Sequence, residues 1–194
     1  MRVLLVSEGK HERSGALEAL VRRMNGTFAE VHQDRLANGD IHVIHGKGRG
    51  YFKKALRWIG EARKRGYHAL VLVVDEDGNP DRVGEIDEAQ DNTLFPLPRA
   101  LGVAVRMFDA WILADERALT DVLGYTVGRQ KNPETIADPK AECANLLSRT
   151  KINITQAQMY AAVAEKANPD VVSNRCPKGF APFAGRVRRL SDTA

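Results

Sequence analysis

The chain has no apolar run long enough to cross a bilayer, no Cys-x-x-Cys pair, no internal repeat and no low-complexity tract. A helical membrane span, a redox dithiol, a solenoid and a disordered linker are thereby excluded as readings. Cysteine is scarce: Cys143 and Cys176 are the two in 194 residues. They are expected as reduced thiols of a cytosolic protein, not as a disulfide frame. His11, His32, His42, His45 and His68 show no zinc-ligand spacing. The N-terminal apolar run is too short for a signal peptide and meets Glu8 at once. A soluble, cytoplasmic protein without membrane contact is expected. An acidic excess is missing too: the net charge is +4 and the pI near 9.2. That mild basic balance suits a polyanionic partner, and equally a solvated surface. Residues 1–123 read as an α/β core, and 124–194 as a helical extension packed on it in one unit.

What the chain does have is concentrated between Ala69 and Asn79. Six apolar residues, Ala69 to Val74, run into Asp75-Glu76-Asp77 and then Gly78-Asn79. A short continuous apolar run closed by turn residues reads as a strand buried on both faces, which needs helices above and below it. With strand alternation continued, Asp75 and Asp77 point one way and Glu76 the other. Two carboxylates side by side at a strand end repel, and a divalent cation offsets that cost. The competing reading is that Asp75 caps the turn and the other two are solvated.

Val3 to Val6 is a second buried strand, followed by Ser7-Glu8-Gly9-Lys10-His11-Glu12. Gly9 allows a tight turn. A helix over about 12–24 follows, with Ala16, Leu17, Leu20, Val21 and Met24 on one face. Glu8 then lies on a strand-to-helix loop, at the edge where open α/β sheets bind ligands. If the two strands are parallel neighbours, Glu8, Asp75 and Asp77 converge; otherwise Glu8 only favours a helix N-terminus. Residues 27–33 and 41–45 read as strands with a turn at Asn38-Gly39. Gly46-Lys47-Gly48-Arg49-Gly50 resembles a phosphate-cradling loop but lacks the Gly-Lys-Ser/Thr ending. It can touch a nucleic-acid backbone or serve as a plain strand-to-helix connection.

A helix over about 51–65 buries Phe52, Ala55, Leu56, Ile59 and Ala62, and turns Lys53, Lys54, Arg57, Arg63, Lys64 and Arg65 outward. Lys10, Lys47, Arg49, Lys53, Lys54 and Arg57 are the candidate nucleic-acid contacts. Residues 81–92 read as an acidic helix and 101–107 as a strand. A helix from Phe108-Asp109 to about Leu123 follows, with Trp111 in the core and Asp109 a fourth acidic candidate at a strand-to-helix junction. The last third reads as helical. Asp138-Pro139 opens one helix and Thr155 caps another, which Asn168-Pro169 ends. Cys176-Pro177 opens the last, with Phe180, Phe183, Val187 and Leu190 as its stripe.

A first strand ending in Glu-Gly-x-x-Glu and a later one ending in Asp-x-Asp resembles the TOPRIM fold. Topoisomerases, bacterial primases, small maturation ribonucleases and overcoming-lysogenization-defect nucleases share it. More narrowly, the chain is similar to a family of small stand-alone TOPRIM-like proteins, often encoded beside ATPases in phage-defence settings. The matching pieces are Glu8 to Glu12, Gly46 to Gly48, Asp75 to Asp77, Phe108 to Asp115, Asn132 to Glu134, Asp138 to Lys140, and Cys176 to Phe183. The family usually has Glu where this chain has Asp109, and Cys-Pro-Ser-Phe where it has Cys176-Pro177-Lys178-Gly179-Phe180.

The resemblance implies a Rossmann-like core with a mostly parallel sheet, and Mg²⁺- or Mn²⁺-dependent cleavage of DNA or RNA. Asp75 and Asp77 would be ligands, Glu8 a ligand or general base, and Glu12 part of a second metal site. Lys140 or Lys178 would stabilise the transition state. An ATPase partner and a homo-oligomer are both compatible with it. Two other readings stand beside it. One is a non-catalytic nucleic-acid-binding or regulatory subunit of an ATPase complex. The other is a haloacid-dehalogenase-type phosphatase with Asp75 as nucleophile, although that motif normally lies on the first strand.

Overall fold

The structure, a computed structural model, describes residues 1–26, 28–36, 50–91 and 93–190. The two apolar runs become β1 (Arg2–Ser7) and β3 (Ala69–Asp75), paired in parallel at the centre of a sheet. Among the described residues β2 (Glu30–Arg35) and β4 (Arg99–Ala104) flank them, giving the order β2-β1-β3-β4, all parallel. The fold is α/β with a Rossmann-like parallel sheet flanked by helices, plus a helical C-terminal region.

Alternation along the strands feeds two cores. Leu4, Val6, Leu70, Leu72 and Val74 face α2 (Gly50–Lys64) and α3 (Asp81–Asp91). Val3, Leu5, Val71 and Val73 face α1 (Ala16–Met24) and the C-terminal helices. Each of the five buried Val and Leu side chains of β3 contributes roughly 1.5–3 kcal/mol.

After β4 come α4 (Asp109–Ile112), α5 (Glu116–Leu123), α6 (Pro139–Arg149), α7 (Gln156–Lys166), α8 (Pro169–Arg175) and α9 (Phe180–Arg189). α7 packs on α1, and α9 on β4. Trp111 lies in the core, stacked on Phe183 at 5.4 Å and edge-on to Phe180 at 5.1 Å. Among the described residues no helix is long and apolar enough to cross a membrane.

Several boundaries differ from the sequence reading. The helix expected from residue 12 begins at Ala16, because Glu12–Ser14 form a 3-10 turn closed by left-handed Gly15 (φ 105°). β2 occupies 30–35 rather than 27–33, in register with β1 through Arg2↔Glu30. β4 starts at Arg99 and ends at Ala104 instead of spanning 101–107, since Arg106 is left-handed (φ 65°). The single helix expected to reach Leu123 is two: Asp115 accepts N–H bonds from Arg117 and Ala118 and starts α5 afresh. Asn168-Pro169 ends α7 and also opens α8, with Asn168 accepting from Asp170 N and Pro169 in the first turn. The last helix begins at Phe180, not Cys176. The strand expected over 41–45, the Asn38-Gly39 turn, and Lys47 and Arg49 lie outside the described residues.

Candidate acidic centre

The parallel pairing of β1 with β3 brings their C-terminal ends together. Asp75 N–H donates to Glu8 Oε2 at 3.3 Å, so these two residues meet as the convergence argument requires. Asp77 departs from the expected alternation. The strand stops at Asp75, and Glu76 to Asn79 form a turn closed by Asn79 N–H to Glu76 O at 2.9 Å. Its central pair, Asp77 (φ 48°) and Gly78 (φ 72°), are both left-handed, the signature of a type I′ turn. Asp77 is therefore swung out to an exposed position. Glu76 is spent on structure: its Oε2 accepts Arg106 N–H at 3.0 Å.

The acidic residues fall into two groups. On the side of α2 and α3, Glu8 Oε1 accepts the Tyr51 hydroxyl at 2.7 Å. Arg82, in the first turn of α3, donates through Nη1 to Asp77 Oδ2 at 3.0 Å and to the Asp75 carbonyl, and lies 4.0 Å from Glu8 Oε2. Its guanidinium sits 4.3 Å from the centre of the Tyr51 ring. These residues line a polar cavity of about 390 Å³ together with Gly9 and Arg35.

The second group lies toward α1 and the C-terminal helices. Asp75 follows Val71 and Val73 on that face, and its Oδ1 accepts Phe108 N–H at 2.7 Å. Glu12 is buried, with its carboxylate on the N–H groups of Gly9 and of Glu12 itself. A Cβ at position 9 would collide with that carboxylate, so Gly9 is required by close approach. Asp109 is buried and accepts the Tyr160 hydroxyl. Among the described residues, no cationic side chain forms an ion pair with Glu12, Asp75 or Asp109.

The electrostatics follow from that imbalance. Burial, and then the charge of Glu12, push Asp75 up to about 8. Burial raises Glu12 as well; its backbone hydrogen bonds oppose the rise and Asp109 adds to it. Ser7, which pairs with Val73 and so shares the face of Asp75, is fully buried, and its hydroxyl has no hydrogen-bond partner among the described residues.

The remaining candidates are dispersed. Lys10 and Lys140 are exposed near His11, whose pKa is lowered by burial and then by these two ammonium groups among its neighbours. Lys178 is exposed on the turn before α9, its N–H bonded to Glu134 Oε2 at 3.0 Å. On α2, Lys53 and Arg57 are half-buried. Lys54, expected on the outer side, is instead 4% exposed, with Nζ 4.3 Å from the Tyr51 ring centre. The start of α2, which a phosphate-cradling loop would offer to an anion, is filled: Tyr51 and Phe52 N–H donate to Glu85 Oε2 at 2.7 and 3.3 Å.

Tyr51, Arg82, Glu85, Ser7 and Tyr160 were not legible as site residues. Arg82 alone had a local signal, a cation in the first turn of the helix that follows the acidic turn.

Mg²⁺ and Mn²⁺ take hard oxygen donors; Mg²⁺ typically uses one or two carboxylates and completes its shell with water and phosphate oxygens. Half-buried Asp75 and buried Glu12 supply that chemistry, with no cationic ion-pair partner among the described residues, and the Ser7 hydroxyl lies on the same face of the sheet. The residues present fit such an ion. They do not form an all-protein cage: among the described residues no three of His, Cys, Asp and Glu gather to hold a metal. Comparison with models of known protein families, with curated proteins and with solved structures finds no match.

Proposed function

We propose that the protein is a TOPRIM-type nuclease that hydrolyses phosphodiester bonds of DNA or RNA with Mg²⁺ or Mn²⁺. The observation that carries this reading is the contact between Glu8 and Asp75 at the C-terminal edge of a parallel sheet, backed by the buried carboxylate of Glu12. Ligands bind at that edge in open α/β sheets. Asp75 and Glu12 would hold the ion, with Asp109 behind them. Such an ion neutralises phosphate charge and acidifies water. Glu8, tethered by Tyr51, would accept a proton from the attacking water as its oxygen bonds to phosphorus and the P–O bond to the leaving strand breaks. Exposed Lys10 and Lys140 stand on one side of the centre and the basic face of α2 on the other, a placement suited to a polyanionic backbone. An ATPase partner belongs to the same reading.

Replacing Asp75 and Asp77 by Ala tests it. Mn²⁺-dependent cleavage is expected to vanish while circular dichroism stays native, and undiminished cleavage would remove the proposal. One observation favours a second reading, a non-catalytic nucleic-acid-binding subunit: Arg82 already neutralises Glu8 and Asp77, as structural ion-pair networks do. Salt-dependent binding with no cleavage by the wild type, under any divalent ion, identifies that case.

A further inference from the structure

Among the described residues the two acidic groups differ in one respect: one contains a positive charge supplied by the chain and the other contains none. Arg82 is held among Glu8, Asp77 and the Asp75 carbonyl, and its side chain is only 15% exposed. Its plane rests against Tyr51, which is itself tied to Glu8. A guanidinium fixed from this many directions is a preorganised cation rather than a solvated one. Across the strand ends stand half-buried Asp75 and buried Glu12, with no counter-charge paired to either among the described residues, and the Ser7 hydroxyl, likewise unpartnered among them, lies on the same face.

We infer that Arg82 takes the place of a second metal ion, so that the centre holds one divalent cation at Asp75 and Glu12 and one fixed guanidinium at Glu8 and Asp77. The inference rests on the metal-dependent reading above and changes its stoichiometry. A second divalent ion between Glu8 and Asp77 would stand within a few ångströms of the guanidinium, and like charges at that range repel strongly even when half-exposed. Arg82 also brings what an ion cannot, directional donors. A phosphate oxygen is the acceptor a guanidinium pairs with best. The ion and the arginine then flank the phosphate from the two faces of the strand ends.

Mn²⁺ titration of the full chain at pH 7.5, followed by the electron paramagnetic resonance signal of the free ion, decides the matter. Wild type is expected to bind one Mn²⁺, Arg82→Gln two, and Asp75→Asn to weaken binding by at least about tenfold. Two ions on the wild type overturn the inference, as does a single ion on both wild type and Arg82→Gln. Those outcomes leave the nuclease reading standing. No Mn²⁺ on wild type or Arg82→Gln removes the inference and the metal-dependent reading together. If Arg82→Gln fails to fold, Arg82→Met, which keeps an unbranched side chain against Tyr51 without the charge, is titrated in its place with the same two outcomes.

Discussion

Tyr51 Oη donates to Glu8 Oε1 at 2.7 Å, tying the end of β1 to the first turn of α2. Burial, and then this bond to Glu8, raise the pKa of the phenol, so Tyr51 remains a donor across the working pH range. Replacing Tyr51 by Phe keeps the ring that Arg82 and Lys54 lie against and deletes one bond to a carboxylate. Urea unfolding is expected to show a loss of about 1.5–3 kcal/mol. An unchanged midpoint would mean that water replaces the hydroxyl at no cost.

Tyr160 bears on Asp109 in a similar way, but deeper. Its hydroxyl donates to Asp109 and accepts from Gln156 Nε2 at 2.9 Å, and the residue is fully buried. Tyr160→Phe strands a buried carboxylate without its donor. A loss of roughly 1–3 kcal/mol is expected, and the double variant Tyr160→Phe/Asp109→Asn should recover part of it in the same denaturation experiment.

The parts that were legible in the sequence are those in which one residue's neighbours in the chain are also its neighbours in space. β1 and β3 showed as apolar runs because both faces are buried, and α1 and α2 as stripes because one face is. Asp138 and Thr155 showed as caps because they bond N–H groups three residues on. Asp115 was missed because its neighbourhood reads as one continuous apolar helix, whereas its side chain both caps α5 and accepts Asn168 N–H at 2.9 Å. The pairing of Glu8 with Asp75 could be inferred from strand ends alone. Tyr51 could not, since it reaches Glu8 across 43 positions of sequence. Nor could the turn geometry that swings Asp77 toward Arg82 rather than alongside Asp75.

Asp75 makes stability depend on pH in a definite direction. Its folded pKa is raised from 3.8 to about 8. Between those values the unfolded chain has released the proton and the folded chain retains it, so the folded state binds more protons and stability falls as pH rises. Above about 8 this contribution levels off, leaving a deficit on the order of a few kcal/mol. Glu116, lowered to about 2 by its bonds from Arg175, acts in the opposite sense but only below about pH 4.5. Urea unfolding from pH 5 to 9 should therefore slope downward for wild type and more gently for Asp75→Asn. Parallel curves would show that Asp75 is ionised throughout.

Gly179 lets the start of α9 close onto β4. A Cβ there would lie 2.6 Å from Val103 O and 2.9 Å from Glu134 Oε1, and Glu134 holds the turn through Gly179 N–H at 2.6 Å. Gly179→Ala is expected to cost about 1–3 kcal/mol by overpacking, read as a lowered melting temperature. An unchanged value would mean that α9 can shift away from the sheet without loss.

A crystal soaked in Mn²⁺ and measured at the manganese absorption edge asks whether the strand ends hold a cation. One anomalous peak is expected within about 2.5 Å of an Asp75 carboxylate oxygen, on the Glu12 side. A fully exchanged crystal with no peak there, or with its peak elsewhere on the molecule, would contradict the account.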